Sequence, residues 1–144
     1  MEIEIRSTVG VVVFDRACGR YLILRRNPKR YKGWGLIKGG VKPDETVESA
    51  CIRETKEEIG ITLDASVLSN LSHQSAYFDN TKQKIVLVRW FIAPLSSAES
   101  LILEEDEWVA HRWATYDEAL YELVWQTQQR VLRVAHQNFS EKIS

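Results

Sequence analysis

The sequence predicts an α/β fold in three layers rather than a doubly wound repeat. Three observations predict it. A β-branched run and a second apolar run stand near the start. A segment free of Gly and Pro follows at 46–59, with apolar residues at helical spacing. More strand-like runs come next and helical patterns close the chain, so strands surround one internal helix rather than alternating with several.

Residues 7–14 carry Thr8, Val9, Val11, Val12 and Val13, which suits a buried strand. Asp15-Arg16-Ala17-Cys18-Gly19 reads as a turn and 21–24 as a second strand, which makes a hairpin. Residues 27–32 form a basic loop containing proline. In 46–59, Val47, Ala50, Cys51, Ile52, Thr55 and Ile59 recur at helical spacing, and Gly60 follows where helices end. Strands are predicted at 66–72, 84–92 and 108–113; the second is a mostly apolar run ended by Pro94, with a small-residue loop at 95–100. Thr115-Tyr116-Asp117-Glu118 has the form of a capping box and starts a helix bearing Ala119, Leu120 and Leu123. A last helix spans 126–139, with Val131, Ala135 and Phe139 on one face. No repeat or linker interrupts the chain, so residues 1–144 are expected to form one domain.

Of the 144 residues, 44% are hydrophobic and 27% charged, the composition of a soluble globular chain. A net charge of -1 gives no global pull toward nucleic acid or membranes, and neither is expected as a partner. Any bound anion then needs a local cluster of cations. The opening Met1-Glu2-Ile3-Glu4-Ile5-Arg6 mixes acids with apolar residues, unlike a secretory signal. No apolar run reaches the roughly 20 residues of a membrane span. Cys18 and Cys51 form no metal-ligand or redox pair and are expected to be reduced thiols of a cytoplasmic protein. Apolar strands and five tryptophans suit a dimer interface as well as a core, so the oligomeric state stays open.

Arg53-Glu54-Thr55-Lys56-Glu57-Glu58 puts three carboxylates on one helix face, since positions i, i+3 and i+4 are neighbours there. At about 100° per residue, Glu54 and Glu58 fall inside the arc of Val47, Ala50 and Cys51, and Ser49, Arg53 and Lys56 lie on the other side. A solvated charged face is the ordinary reading of such a cluster. Acids on the sheet-facing arc are costly, however, unless a cation neutralises them. A hard divalent cation takes oxygen ligands and would do so. The preceding Lys38-Gly39-Gly40-Val41-Lys42-Pro43-Asp44-Glu45 is a tight glycine-bearing segment, suited to offering a backbone carbonyl to a metal or amides to a phosphate.

Gly39, Glu45 after five residues, Arg53-Glu54 after seven more, then Glu57-Glu58 and Gly60-Ile61: this spacing resembles the Nudix box, G-x5-E-x7-R-E-U-x-E-E-x-G-U, where U is aliphatic. Every charged and glycine position of the box is present. The resemblance implies a Nudix-type α/β/α sandwich with a mixed sheet, a catalytic loop and helix, and C-terminal helices. It implies a hydrolase that cleaves a pyrophosphate bond in a nucleoside diphosphate derivative, with magnesium or manganese as cofactor. By the same resemblance Glu54, Glu57 and Glu58 are metal ligands beside the Lys38 carbonyl, and Glu54 or a later acid is the base that activates water. Arg53 then orients a catalytic carboxylate, and Glu45 braces the joint of loop and helix. Three features depart from the family pattern. Thr55 occupies an aliphatic position, Ile37 stands where many members have Pro, and Lys42-Pro43-Asp44-Glu45 stands where many have Glu-Pro-Gly-Glu. Asp44 replaces a glycine there, and Asp tolerates the left-handed region that Gly favours.

A weaker similarity covers most of the chain. Lys82-Gln83-Lys84 before the 86–93 run, Glu107 ahead of Ala110-His111-Arg112-Trp113, and Glu118-Ala119 resemble the asymmetric diadenosine tetraphosphate hydrolases. That likeness implies polyphosphate binding by Lys82 and Lys84 and base stacking by Tyr77. Lys38 is a further phosphate candidate, and Trp34 matches the aromatic before the loop. Glu107 is the candidate distal catalytic or metal-binding acid, in a stretch crowded by Glu104, Glu105 and Asp106. Plainer readings stand beside these: solubilising lysines next to a strand, and ordinary packing for the two rings. Arg25, Arg26, Lys29, Arg30 and Lys32 either steer an anionic substrate or form a solvated basic loop. His73, His111 and His136 are isolated and are not expected to bind metal.

The expected substrate is a small nucleoside polyphosphate, with diadenosine tetraphosphate, cleaved to ATP and AMP, as the leading candidate. Oxidised nucleoside triphosphates, nucleotide sugars, ADP-ribose and diphosphoinositol phosphates are the alternatives. A nucleotide-binding module without catalysis is the alternative of another class; loss of a helix acid would mark it, and all three acids are present.

Overall fold

β1 (Glu4–Asp15) and β6 (Lys84–Pro94) run parallel along their whole length, from Glu4↔Lys84 to Phe14↔Pro94. They form the centre of a computed structural model that describes residues 2–143; Met1 and Ser144, the ends of the expected domain span, lie outside the described residues. Because the parallel ladder already begins at Glu4, β1 starts ahead of the predicted 7–14 run. β2 (Arg20–Arg26) pairs with β1 only at Phe14↔Tyr21 and Asp15↔Arg20, then turns away to pair with β7 (Trp108–Ala114) and with β3 (Trp34–Gly35). β4 (Ile37–Gly40) returns to β1, antiparallel, from Val11↔Ile37 to Thr8↔Gly40. β5 (Ser69–Asp79) lies antiparallel on the far side of β6. The sheet is mixed, as predicted.

Side chains along β1 alternate between two cores, as strand geometry requires. Val9, Val11 and Val13 pack with Ala50, Cys51 and Ile59 of α1 (Val47–Ile59) on one face. Val12 and Phe14 pack with Ala119 of α2 (Tyr116–Glu122) and Val131, Leu132 and Ala135 of α3 (Gln126–Ile143) on the other. Helices on both faces of a mixed sheet make the α/β/α sandwich that the Nudix resemblance implies, in the three layers that the element order predicts. No helix of the described residues is long and apolar enough to cross a membrane.

The helix ends follow their sequence signals. Thr46 Oγ1 accepts from the Ser49 amide at 3.1 Å, and Gly60 closes α1 at φ 76°. The Thr115–Glu118 capping box forms in both directions. α3 runs past the predicted 126–139 span.

Elsewhere the structure departs from the prediction. No strand is predicted for β3 and β4, which are too short and glycine-rich to show alternation; their partner backbones make them strands. The strand predicted at 66–72 lies at Ser69–Asp79 instead, because Ala65–Val67 form a 3-10 turn capped by Asp64. β5 is mostly exposed and polar, and it is held by the β6 edge beside it and by Leu71, which is buried in the core. Cys18 and Cys51 are both free.

Asp15 ties the β1–β2 turn to the chain after β6, accepting from the amides of Ala17 and Ser97 at 2.8 Å each. Hydrogen bonding from Ser97 is the main cause that lowers its carboxyl from 3.8 to about 2. A lowered folded-state pKa contributes stability above the unfolded value that is lost as pH falls. The difference in urea midpoint between wild type and Asp15→Ala should therefore be full at pH 6, begin to shrink below pH 3.8 and be largely gone near pH 2. A difference that does not change with pH would remove the carboxylate from this role.

Candidate active site

The segment between β4 and α1 is held by one guanidinium. Arg53 Nε and Nη2 donate to the two oxygens of Glu45 at 2.7 and 2.8 Å. Nη2 also donates to the Gly40 carbonyl at 2.7 Å, and Nη1 donates to Glu54 at 2.7 Å and Glu57 at 3.3 Å. Those bonds use all five donors of an arginine. Hydrogen bonds from Arg53 are the main cause that lowers the Glu45 carboxyl to about 2. The turn at 42–45 closes with the Glu45 amide on the Lys42 carbonyl at 3.0 Å. Asp44 does not use the left-handed region there: the non-glycine residues of positive φ among those described are Ser72 and Gln83. The Thr55 departure is also accommodated, since its hydroxyl is buried and donates to the Cys51 carbonyl at 2.8 Å.

Angular counting on α1 placed Glu58 on the buried arc, and its side chain is 3% exposed. The Trp108 indole donates to Glu58 Oε1 at 2.8 Å, and Oε2 is buried without a hydrogen-bond partner. Burial, above all, raises this carboxyl well above its usual range, with Glu54 adding to the rise against the indole bond. Glu54 is mostly covered and Glu57 about half exposed. Gly39 lies directly under Glu54, where a methyl group would overlap the carboxylate. The 101–107 segment runs past the end of α1, with the Glu104 amide on the Glu58 carbonyl at 3.1 Å. Burial raises the Glu104 carboxyl, and Glu107, Glu57 and Glu54 raise it further. Glu107 pairs with Arg26, and with Arg30 at 3.2 Å.

The other expected residues lie across the sheet. Register places Lys38, Thr8, Tyr77 and Lys84 on the face opposite α1. Lys38 Nζ donates to the Tyr77 hydroxyl at 2.5 Å and sits 4.6 Å from its ring centroid. Lys84 pairs with Glu4 at 3.3 Å, while Lys82 is exposed in the β5–β6 turn. Trp34 is partly buried and packs against the core shared with α2 and α3. His136 stacks on Tyr116 and bonds Tyr21 at 2.9 Å.

No sequence pattern singles out Arg6 or Trp108, Glu104 is only one of four neighbouring acids there, and Arg26 is read either as steering an anion or as part of a solvated basic loop. Arg6 stands against Gly40, its Nη2 2.7 Å from where a β-carbon would lie. The register of the 34–40 segment reveals that neighbour, and no local pattern does. Arg26 is neither solvated nor free to steer, because its guanidinium lies between the Tyr31 and Trp108 rings. A β-bulge hides this arrangement from a sequence reading.

The donor set fits a hard divalent cation. Glu58 offers an unpartnered buried oxygen, Glu54, Glu57 and Glu104 stand near, and all are hard oxygen donors. Among the described residues no three carboxylates close into a finished cage, and Arg53 pairs with both Glu54 and Glu57.

Fold and site together define a hydrolase-type α/β/α protein that gathers carboxylates where a glycine loop meets a helix. A NUDIX domain pattern matches residues 4–135, and the chain belongs to the Nudix hydrolase family. It is 28% identical over 118 residues to the bis(5'-nucleosyl)-tetraphosphatase [asymmetrical] of Caenorhabditis elegans, covering 79% of this chain and 82% of that one. It is 32% identical over 114 residues to nucleoside triphosphatase NudI of Salmonella agona (strain SL483), covering 73% and 80%. The fold matches the E. coli dihydroneopterin triphosphate pyrophosphohydrolase at a TM-score of 0.79 and 20% identity, covering 95% and 99% of the two chains. A C. elegans Ap4A hydrolase binary complex matches at 0.75 and 25%, covering 94% and 98%.

Arg53→Lys keeps the charge but loses the planar fork. The variant should lose about 2 kcal/mol of stability, read from its urea midpoint. A midpoint equal to wild type would show that the fork does not hold the loop.

Proposed function

We propose that residues 1–144 form one hydrolase domain that cleaves a pyrophosphate bond in a nucleoside polyphosphate, with diadenosine tetraphosphate as the leading substrate. The observation that carries this reading is the Glu58 carboxylate, buried beside other acids with one oxygen unpartnered. The magnitudes favour a cation there. Taking a carboxylate out of water costs several kcal/mol and one charged hydrogen bond returns about 1.5–3 kcal/mol, so Glu58 holds its proton more tightly than usual unless a cation takes the proton's place.

Glu54, Glu57, Glu58 and the Lys38 carbonyl would hold a magnesium or manganese ion. Such an ion supplies charge neutralisation at the phosphoryl oxygens and a lowered pKa for attacking water. Arg53 bridges and orients Glu54 and Glu57 through the shared Nη1 group, which screens their repulsion. Glu54, or a distal acid of the 104–107 stretch, takes the proton from water. Glu107 is tied to two arginines, whereas Glu104 has no cation partner among the described residues, which leaves the Glu104 carboxylate the freer of the two to take that proton. On the opposite face, Lys38 and Arg6 would meet phosphate oxygens, Tyr77 would stack on a base, and Lys82 and Lys84 would lie along the polyphosphate. Trp34, in β3 at the other end of the strand order from β5, would contribute through its packing on the α2–α3 core.

The similarity to an asymmetric tetraphosphatase supports a dinucleoside polyphosphate, and the similarity to a nucleoside triphosphatase supports a nucleoside triphosphate as the second substrate reading. Product chromatography over a panel of diadenosine tetraphosphate, nucleoside triphosphates including 8-oxo-dGTP, ADP-ribose and a nucleotide sugar separates the two. ATP and AMP should form from the first compound with magnesium and not with EDTA. Turnover of none of the panel, with tight binding of one, would sink the enzymatic reading. Glu57→Gln should lower kcat by more than about 100-fold in a folded protein. Lys84→Ala should raise KM with kcat little changed, and an unchanged KM would return Lys84 to its surface pairing with Glu4.

A further inference from the structure

Trp108 stands where the regular alternation of β7 would not put it. Arg25 pairs with Ala110 and Arg26 with Trp108, so Val109 is an extra residue. That bulge turns Trp108 onto the face that carries α1. There the indole is 2% exposed and donates to Glu58 Oε1 at 2.8 Å. An indole has one donor and no acceptor. It therefore fixes one oxygen of Glu58 and leaves Oε2, buried and unpartnered, as the free one.

The indole is itself held. The Arg26 guanidinium lies 4.2 Å from the Trp108 ring centroid and 4.7 Å from that of Tyr31. Its Nη1 pairs with Glu107, and its Nε is buried without a hydrogen-bond partner. Packing alone does not call for this arrangement. Apolar side chains would fill the same space without the desolvation of a guanidinium and a carboxylate. The bulge, the stacked arginine and the single donor all converge on the orientation of Glu58.

We propose that Trp108 is a positioning residue for Glu58, steadied by Arg26, and that the pair presents one Glu58 oxygen to the divalent cation. The inference rests on the reading of Glu58 as a metal ligand. It goes beyond that reading by assigning the cation affinity to a bulged tryptophan that touches neither metal nor substrate.

Replacing Trp108 with 3-benzothienylalanine removes the N–H and keeps the ring shape. Mn2+ binding to the metal-free variant, read by EPR, should weaken by about tenfold or more, while near-UV circular dichroism stays that of the folded protein. Arg26→Lys keeps the charge but cannot lie flat between two rings, so it should weaken Mn2+ binding severalfold. Neither change should have a further effect in a Glu58→Gln background. Wild-type Mn2+ affinity in the folded Trp108 analogue, or equal losses with and without Glu58, would overturn the positioning role. Wild-type affinity in Glu58→Gln alone would overturn the metal-ligand reading and, with it, this inference.

Discussion

All five N–H groups of Arg53 are committed: two to Glu45, one to the Gly40 carbonyl, and one each to Glu54 and Glu57. The helix acids repel one another, and the loop before them has no core of its own. A planar fork with donors in fixed directions answers both problems at once. It links Glu54 and Glu57 through one shared nitrogen and anchors the loop through a bidentate pair with Glu45, whose other contact is the Lys42 amide. An ammonium has three donors around one point and does not span these partners. The site's geometry is therefore set by a cation belonging to the chain itself, and a divalent ion would enter carboxylates that are already spaced.

The loop also divides two chemistries with very little material. Gly39 has the Glu54 carboxylate on one side, and Gly40 has the Arg6 guanidinium on the other. A side chain at either position would collide with the charged group it faces. Two adjacent glycines make β4 thin enough for acids and cations to approach from opposite faces of one strand. β4 pairs with β1 alone among the described strands, so this thin part lies where the sheet divides. A polyphosphate, anionic along its length, would have its cationic partners on one face and, through a divalent ion, the acids on the other.

Much of this was legible in the sequence, and the remainder has a common cause. α1 was readable from Thr46 to Gly60 because every signal for it is local: a cap, an apolar period and a glycine stop. Angular counting identified Glu58 as a buried acid before any coordinates, since a helix fixes the bearing of every residue. Arg53 was counted to the solvent side, yet its long side chain reaches back over the loop, 20% exposed. Backbone bearing does not determine where a flexible arginine ends. β3 and β4 exist because other strands offer edges to them. Trp108 reaches Glu58 because one extra residue shifts a register, and Arg6 meets Gly40 through an antiparallel pairing distant in sequence. Contacts of that kind depend on which strands meet, which a local pattern does not record.

Glu58 shows what the arrangement costs. Its neighbours on the buried side of α1 are Ala50, Cys51, Thr55 and Ile59, and a leucine there would add about 1.5–3 kcal/mol of apolar burial. The carboxylate instead gives up several kcal/mol of hydration and recovers part of it from one indole bond. The helix caps contribute about 1 kcal/mol each, and the Arg53 fork offsets some repulsion, yet neither satisfies Glu58 Oε2. The shortfall falls on one atom, in the midst of the other acids. A divalent cation would remove that shortfall, so that a costly burial would become a contribution to binding.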